Sequence, residues 1–182
     1  MANANQSFFR RVPVSKPYLV TRNQALRLSP SNFTQFMKES TIYGVVVDMP
    51  MAPTVITTLA CYINGAANLY FSNGEDYSGA AQRYPGVVQA ARMFVTNAAH
   101  YIKDENKVSN FELPNSRLHY AYLLTTKGVY RLEINPMQGQ QTAEERVFLS
   151  MYQRVMSELR SAQMKDKAAG NTPSAMLVPN GN

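Results

Sequence analysis

The chain has 182 residues, of which 45% are hydrophobic, including 11 Tyr and 8 Phe. This length and composition predict one folded domain with a sizeable core, and they exclude a wholly disordered chain. Every apolar run falls short of the roughly 18 residues that cross a bilayer, so the sequence predicts a soluble protein without a membrane partner. The single cysteine, Cys61, excludes an internal disulfide and a cysteine-based zinc site, and it fits a reducing, cytoplasmic location.

The net charge of +6 is concentrated in the N-terminal region. Residues 1–38 contain six basic residues and no acidic ones, whereas the rest of the chain contains 12 of each. A nucleic-acid-binding domain would carry its positive charge on the folded body. Nucleic-acid binding through the basic arm is therefore the least favoured of the functions considered.

Residues 1–30 are predicted to form an extended arm, because Pro13, Pro17 and Pro30 exclude one continuous helix. Large apolar side chains are interspersed with basic ones along this arm, which is typical of a segment that docks on another surface. Two alternatives stay open: the arm packs on its own sheet, or it docks on a neighbouring subunit. In either case, deletion of residues 1–28 is expected to leave the fold largely intact.

The first strands follow a short helix around residues 33–37. A β-branched run over Ile42–Asp48 predicts a buried strand. The stretch Thr54–Phe71 predicts two more strands joined at Asn64-Gly65, since this dipeptide tolerates the positive φ angles of a two-residue turn. That turn would place Leu59 opposite Tyr70. Both faces of this hairpin are apolar, so both are expected to be covered.

The second half of the chain predicts two helices and another hairpin. Pro85 is expected to begin a helix that ends near Lys103, because apolar residues recur there at helical spacing. Residues 118–126 and 129–134 predict a hairpin across Lys127-Gly128. Thr142 and Glu145 form a capping box, which predicts the start of the last helix. A flexible tail is expected over residues 164–182.

These elements predict a single α+β domain over residues 31–163, with a five-stranded, mainly antiparallel sheet and helices packed on it. The segments Asn68–Gly74 and Val88–Phe94, with Gly79 between them, resemble a group of uncharacterised bacterial proteins. The resemblance covers about a third of the chain. It implies a profilin-like layer fold of the roadblock and longin type, and it implies no chemistry.

No pattern in the sequence predicts catalysis, a metal site or a cofactor. His100 and His119 are the only histidines, and two histidines without an acid at metal-ligand spacing make a poor metal site. Cys61 lies in a predicted strand, where no helix N-terminus would activate it. The loop of residues 72–79 precedes a helix as anion-binding turns do, but Glu75 and Asp76 would repel a phosphate.

The sequence therefore favours a non-enzymatic protein-interaction domain, either a scaffold or an assembly component, whose partner is another protein or a second copy of the chain. The alternative is a sensor-like domain that binds a small ligand between sheet and helix. Tyrosines on one face of a predicted strand could form the core, an interface or a stacking surface for bases. The candidate interaction residues are Phe8, Phe9, Arg10, Arg11, Tyr18, Arg22, Tyr120 and Tyr122.

Overall fold

A computed structural model of the chain describes residues 12–52 and 54–170. These residues form an antiparallel sheet whose strands follow the order β4-β3-β2-β1-β6-β7-β5. The longest strand, β1, lies at the centre between β2 and β6. The strands are β1 (Ile42–Ala52), β2 (Val55–Tyr62), β3 (Ala67–Phe71), β4 (Asp76–Tyr77), β5 (Lys107–Val108), β6 (His119–Thr125) and β7 (Gly128–Ile134).

Helices cover both faces of this sheet. The α-helices are α1 (Lys16–Leu26), α2 (Thr34–Met37), α3 (Pro85–Ala98) and α4 (Ala143–Ala168). Helix α1 lies on the face that carries Asp48 and Thr58, which are cross-strand partners. Helices α3 and α4 pack against each other, and α4 contacts the opposite face through the bond between Tyr152 and His119. Sheet and helices thus enclose two apolar layers.

The predicted α+β class is confirmed, but the sheet has seven strands instead of five. The two additional strands are β4 and β5, each of two residues, and they lie at the two edges. A two-residue ladder is too short to produce an alternating pattern of apolar and polar residues. The sequence therefore carried no signal for either edge.

The hairpin at Asn64-Gly65 forms, but its register differs from the prediction by one residue. Leu59 lies opposite Leu69 instead of Tyr70. The cause is a three-residue loop: the N–H of Tyr62 donates to the carbonyl of Ala66, and Gly65 adopts a φ of 93°. A three-residue loop with a left-handed glycine is the next most common hairpin connection after the two-residue turn.

Both predicted helices in the second half are confirmed, with different ends. Helix α3 begins at Pro85 as expected and gives way to a 3-10 turn after Ala98. The capping box of α4 is complete, since the N–H of Glu145 donates to the Thr142 hydroxyl and the Glu145 carboxylate accepts from the Thr142 N–H. This helix continues to residue 168, so part of the predicted tail is helical; residues 171–182 lie outside the described residues.

The predicted extended arm is a helix over residues 16–26. Pro17 lies in its first turn, where a missing N–H costs nothing, and the Ser15 hydroxyl accepts from the N–H of Tyr18 as an N-cap. The arm therefore packs on its own sheet over these residues. The prolines do exclude one continuous helix through residue 30, but they begin and follow α1 without interrupting it.

A buried ion pair joins α1 to the central strand. Arg22 and Asp48 are 2% and 0% exposed, and the Arg22 guanidinium donates to both Asp48 oxygens at 2.7–3.1 Å. Asp48 also accepts from Thr58, which in turn shares a hydrogen bond with Tyr18. Burial alone would lower the pKa of Arg22, but the charge and hydrogen bonds of Asp48 outweigh it and raise that pKa. No buried side-chain nitrogen or oxygen of the pair lacks a hydrogen-bond partner.

A second polar cluster fixes the far end of α4. Asp166 is 2% exposed and accepts hydrogen bonds from Arg83, Tyr77 and Tyr84. These bonds, chiefly those from Arg83, lower the pKa of Asp166 to about 2. The cluster ties the last turns of α4 to β4 and to the segment before α3.

We expect Arg22→Met to lower the free energy of unfolding by about 3–5 kcal/mol, because Asp48 would stay buried without its counter-charge. Lys16→Met, an exposed change in the same helix, serves as the control. The double variant Arg22→Met/Asp48→Leu should recover much of the loss. Urea denaturation measures all three, and equal effects of Arg22→Met and Lys16→Met would contradict the assignment.

By the same reasoning, deletion of residues 1–28 would unfold the domain instead of leaving it intact.

Candidate functional site

A pocket with a volume of about 800 Å³ lies beside β7, between the edge of the sheet and the start of α4. We call it the β7 groove. Its walls come from β5, β7, the 3-10 turn after α3 and the first turns of α4. The lining includes both apolar and charged side chains. The apolar ones include Tyr101, Val108, Leu132, Ile134, Val147 and Met151, and the charged ones are Lys103, Glu105, Arg131, Glu133, Glu144 and Glu145.

Local contacts hold the groove open. The Tyr101 ring packs edge-on against Phe148 with 4.9 Å between centroids, and its hydroxyl donates to the Glu144 carbonyl. These contacts fix the end of the α3 segment against the start of α4. Val147 and Met151 lie one turn apart on α4, and Val147 is 55% exposed. The groove therefore presents apolar side chains on a rigid frame.

The edge of β7 is partly unpaired along this groove. Strand β5 pairs with β7 only at Val129 and Tyr130. Among the described residues, Arg131–Ile134 have β6 on one side and no strand on the other; the 3-10 turn Asp104–Asn106, just before β5, contacts β7 without extending the ladder. An open edge of this kind offers backbone N–H and C=O groups to an incoming strand.

Carboxylates outnumber cations in the groove. Glu105, Glu133, Glu144 and Glu145 line it, against Lys103 and Arg131. Arg131 lies 3.0 Å from Glu133, and the Glu145 carboxylate is used by the capping box. Within the described ranges, Glu105 and Glu144 make no ion pair. The groove is thus acidic, which does not suit a nucleic-acid phosphate.

The two histidines occupy different environments. His100 is exposed and lines the groove. His119 is buried on β6, and its Nδ1 lies 2.7 Å from the hydroxyl of Tyr152. Its partner is thus a tyrosine and not a carboxylate. Burial lowers the pKa of His119 to about 4, so the ring is neutral at neutral pH.

Four of the candidate interaction residues have buried side chains. Tyr18 and Arg22 belong to the network around Asp48. Tyr120 and Tyr122 do share a strand face, but they are 7% and 0% exposed. Because they are covered by their own chain, these four side chains cannot form a surface for a partner or for stacked bases. Phe8, Phe9, Arg10 and Arg11 lie outside the described residues.

A metal site and a reactive cysteine find little support in the described part of the chain. No group of three or more potential metal-ligating side chains occurs there. Burial raises the pKa of the Cys61 thiol, which keeps it protonated. The predicted loop after β3 contains the short strand β4. No described helix is long and apolar enough to span a membrane.

Some residues of the β7 groove belong to elements that were predicted from the sequence. Met151 belonged to the predicted apolar face of the last helix, and residues 129–134 to a predicted strand. Nothing local indicated that β7 would lack a neighbour over Arg131–Ile134. An open edge depends on the order of strands in the sheet, which is a property of the whole chain.

We expect the free energy of unfolding to fall by about 2 kcal/mol between pH 7 and pH 5 because of His119. Its pKa is about 4 in the folded chain, below the ordinary 6.5. The unfolded chain therefore takes up the proton first as pH falls, and stability is lost progressively from pH 6.5 to pH 4. His119→Asn should remove this part of the pH dependence, whereas His100→Asn should not. Denaturant unfolding at several pH values measures it, and parallel profiles for His119→Asn and the unaltered chain would refute the assignment.

The chain matches no protein-family model, and no curated protein or solved structure is significantly similar to it.

Proposed function

We propose that this chain is a non-enzymatic protein-interaction domain, acting as a scaffold or assembly component. It binds an extended segment of a partner along the open edge of β7, with side chains of that segment in the β7 groove. In this mode of recognition, main-chain hydrogen bonds supply affinity and pockets for alternate side chains supply specificity. The observation that carries the proposal is the open edge at Arg131–Ile134 directly beside the groove.

The exposed apolar surface of the groove supports this proposal. Val147 is more than half exposed, and Leu132 and Met151 are partly exposed beside it. The lining combines apolar side chains with charged ones, and protein interfaces likewise join an apolar core to a polar rim. The acidic character of the groove favours a partner segment that carries arginine or lysine.

The sheet with helices on both faces also supports the proposal that the domain is a profilin-like layer fold of the roadblock type. Its strands pair antiparallel around a central β1, and the two short strands extend this core at its edges. In this arrangement the functional surface lies at a sheet edge and not on a face, because both faces are occupied by helices.

A small ligand is the alternative occupant. The groove volume of about 800 Å³ falls in the range of small-molecule pockets. Such a ligand would give a sensor-like domain. The two functions differ in whether a macromolecule or a small molecule contacts Val147.

Site-specific photo-crosslinking in the native cell tests the proposal. A photoreactive phenylalanine analogue replaces Val147 in the groove or, as the control, Val20 on α1, whose exposed fraction of 47% is similar. We expect protein adducts from position 147 and none from position 20. Intact-complex mass spectrometry of the unaltered chain then gives the stoichiometry. A chain that forms no protein adduct at position 147 but retains a small molecule would overturn the proposal in favour of the ligand.

A further inference from the structure

We propose that the occupant of the β7 groove is the segment Phe8–Arg11 of a second copy of this chain. This inference rests on the proposed function, because it names the partner of that site. The segment reads Phe-Phe-Arg-Arg and joins two aromatic side chains to two permanent cations. The groove offers the complementary surface, apolar at Leu132 and Val147 and acidic around them.

The charges of groove and segment are opposite. The carboxylates of Glu105 and Glu144 line the groove, and neither forms an ion pair among the described residues. A guanidinium can bind a carboxylate through two parallel hydrogen bonds, which gives geometric specificity as well as energy. Arg10 and Arg11 would therefore supply the cationic partners that Glu105 and Glu144 lack among the described residues.

The segment is also suited to pairing as a strand. Residues 1–12 contain neither proline nor glycine, so every backbone N–H after the first residue is available to a ladder. Successive side chains of a strand point to opposite sides. Either Phe8 and Arg10 or Phe9 and Arg11 would face the groove, so one phenylalanine and one arginine face it in both cases. Four residues also match the length of the open edge, Arg131–Ile134.

The segment Phe8–Arg11 cannot pair as a strand with β7 of its own chain. The N–H of Ser15 donates to the carbonyl of Ser72, just after β3, which fixes the start of the described chain there. Strands β3 and β7 are four strand spacings apart, a distance of about 19 Å. A strand paired with the open edge would lie one spacing further, at about 24 Å. The backbone of Arg11, four residues before Ser15, can be at most about 14 Å from it. A second copy must therefore provide the segment.

Sedimentation and intact-complex mass spectrometry of the full-length chain test the inference. In one variant, residues 8–11 are all replaced by serine; in another, Val147→Lys introduces a positive charge that repels the arginines of the segment. We expect the unaltered chain and the Val20→Lys control to associate, and each of the two variants to be monomeric. Because association uses a segment of one copy and a groove of the other, mixing the two variants should restore complexes that contain one of each.

A binding measurement with a defined probe completes the test. A labelled peptide of residues 1–14 is titrated into the full-length serine variant, whose own segment cannot compete. We expect the peptide to bind, and added salt to weaken that binding. Val147→Lys in the same background should weaken it at least about tenfold, and a scrambled peptide of equal composition should not bind. Methylation of every second backbone nitrogen of the peptide should abolish binding when the methylated nitrogens face β7, and should leave binding unchanged when they face away from it.

The outcomes separate this inference from the proposed function. A monomeric unaltered chain, together with a peptide that does not bind, overturns the inference. If protein adducts still form at position 147 in that case, the groove binds a different protein and the proposed function stands. If no protein adduct forms there either, both fail.

Discussion

The charged pair between Arg22 and Asp48 is the constraint on which the arrangement of the sheet and its first helix depends. Desolvation makes a buried pair expensive unless further hydrogen bonds satisfy both partners. Here the guanidinium also donates to the carbonyls of Phe111 and Glu112, so it fixes the loop before β6 as well as β1. One side chain thereby positions three segments that are distant in sequence. We interpret the pair as a determinant of which helix covers which strand, more than as a source of net stability.

This packing moves the available surface to one edge of the molecule. Helix α1 covers one face of the sheet, and α3 and α4 cover the other. At the β3 side, β4 and the cluster around Asp166 close the edge. At the opposite side, β5 protects only the first half of β7. Exposed Val147 and the acidic rim lie next to the half that stays open, so the features that suit a partner occur together.

The sequence predicted those elements whose signals are local. The capping box at Thr142, the proline that begins α3 and the glycine turn of the first hairpin each act within a few residues. The hairpin register was wrong because a two-residue and a three-residue loop share the same Asn-Gly signal. Arg22 was assigned to a surface because a charged residue carries no local mark of burial; its partner stands 26 positions away. The β7 groove could not be predicted for the same reason, since it depends on which strands become neighbours.

The position of β1 has a consequence for synthesis on the ribosome. Its two neighbours are β2, which follows directly in the chain, and β6, which begins only at His119. During translation the β1–β2 hairpin can form early, but one side of β1 then has no strand beside it until the chain has grown from Tyr62, the end of β2, to Thr125, the end of β6. That side carries a β-branched, fully apolar run at Val45–Val47, which is the kind of edge that pairs with other chains. The nascent protein is therefore most prone to aggregation at its centre, and this vulnerability ends when the second hairpin leaves the exit tunnel.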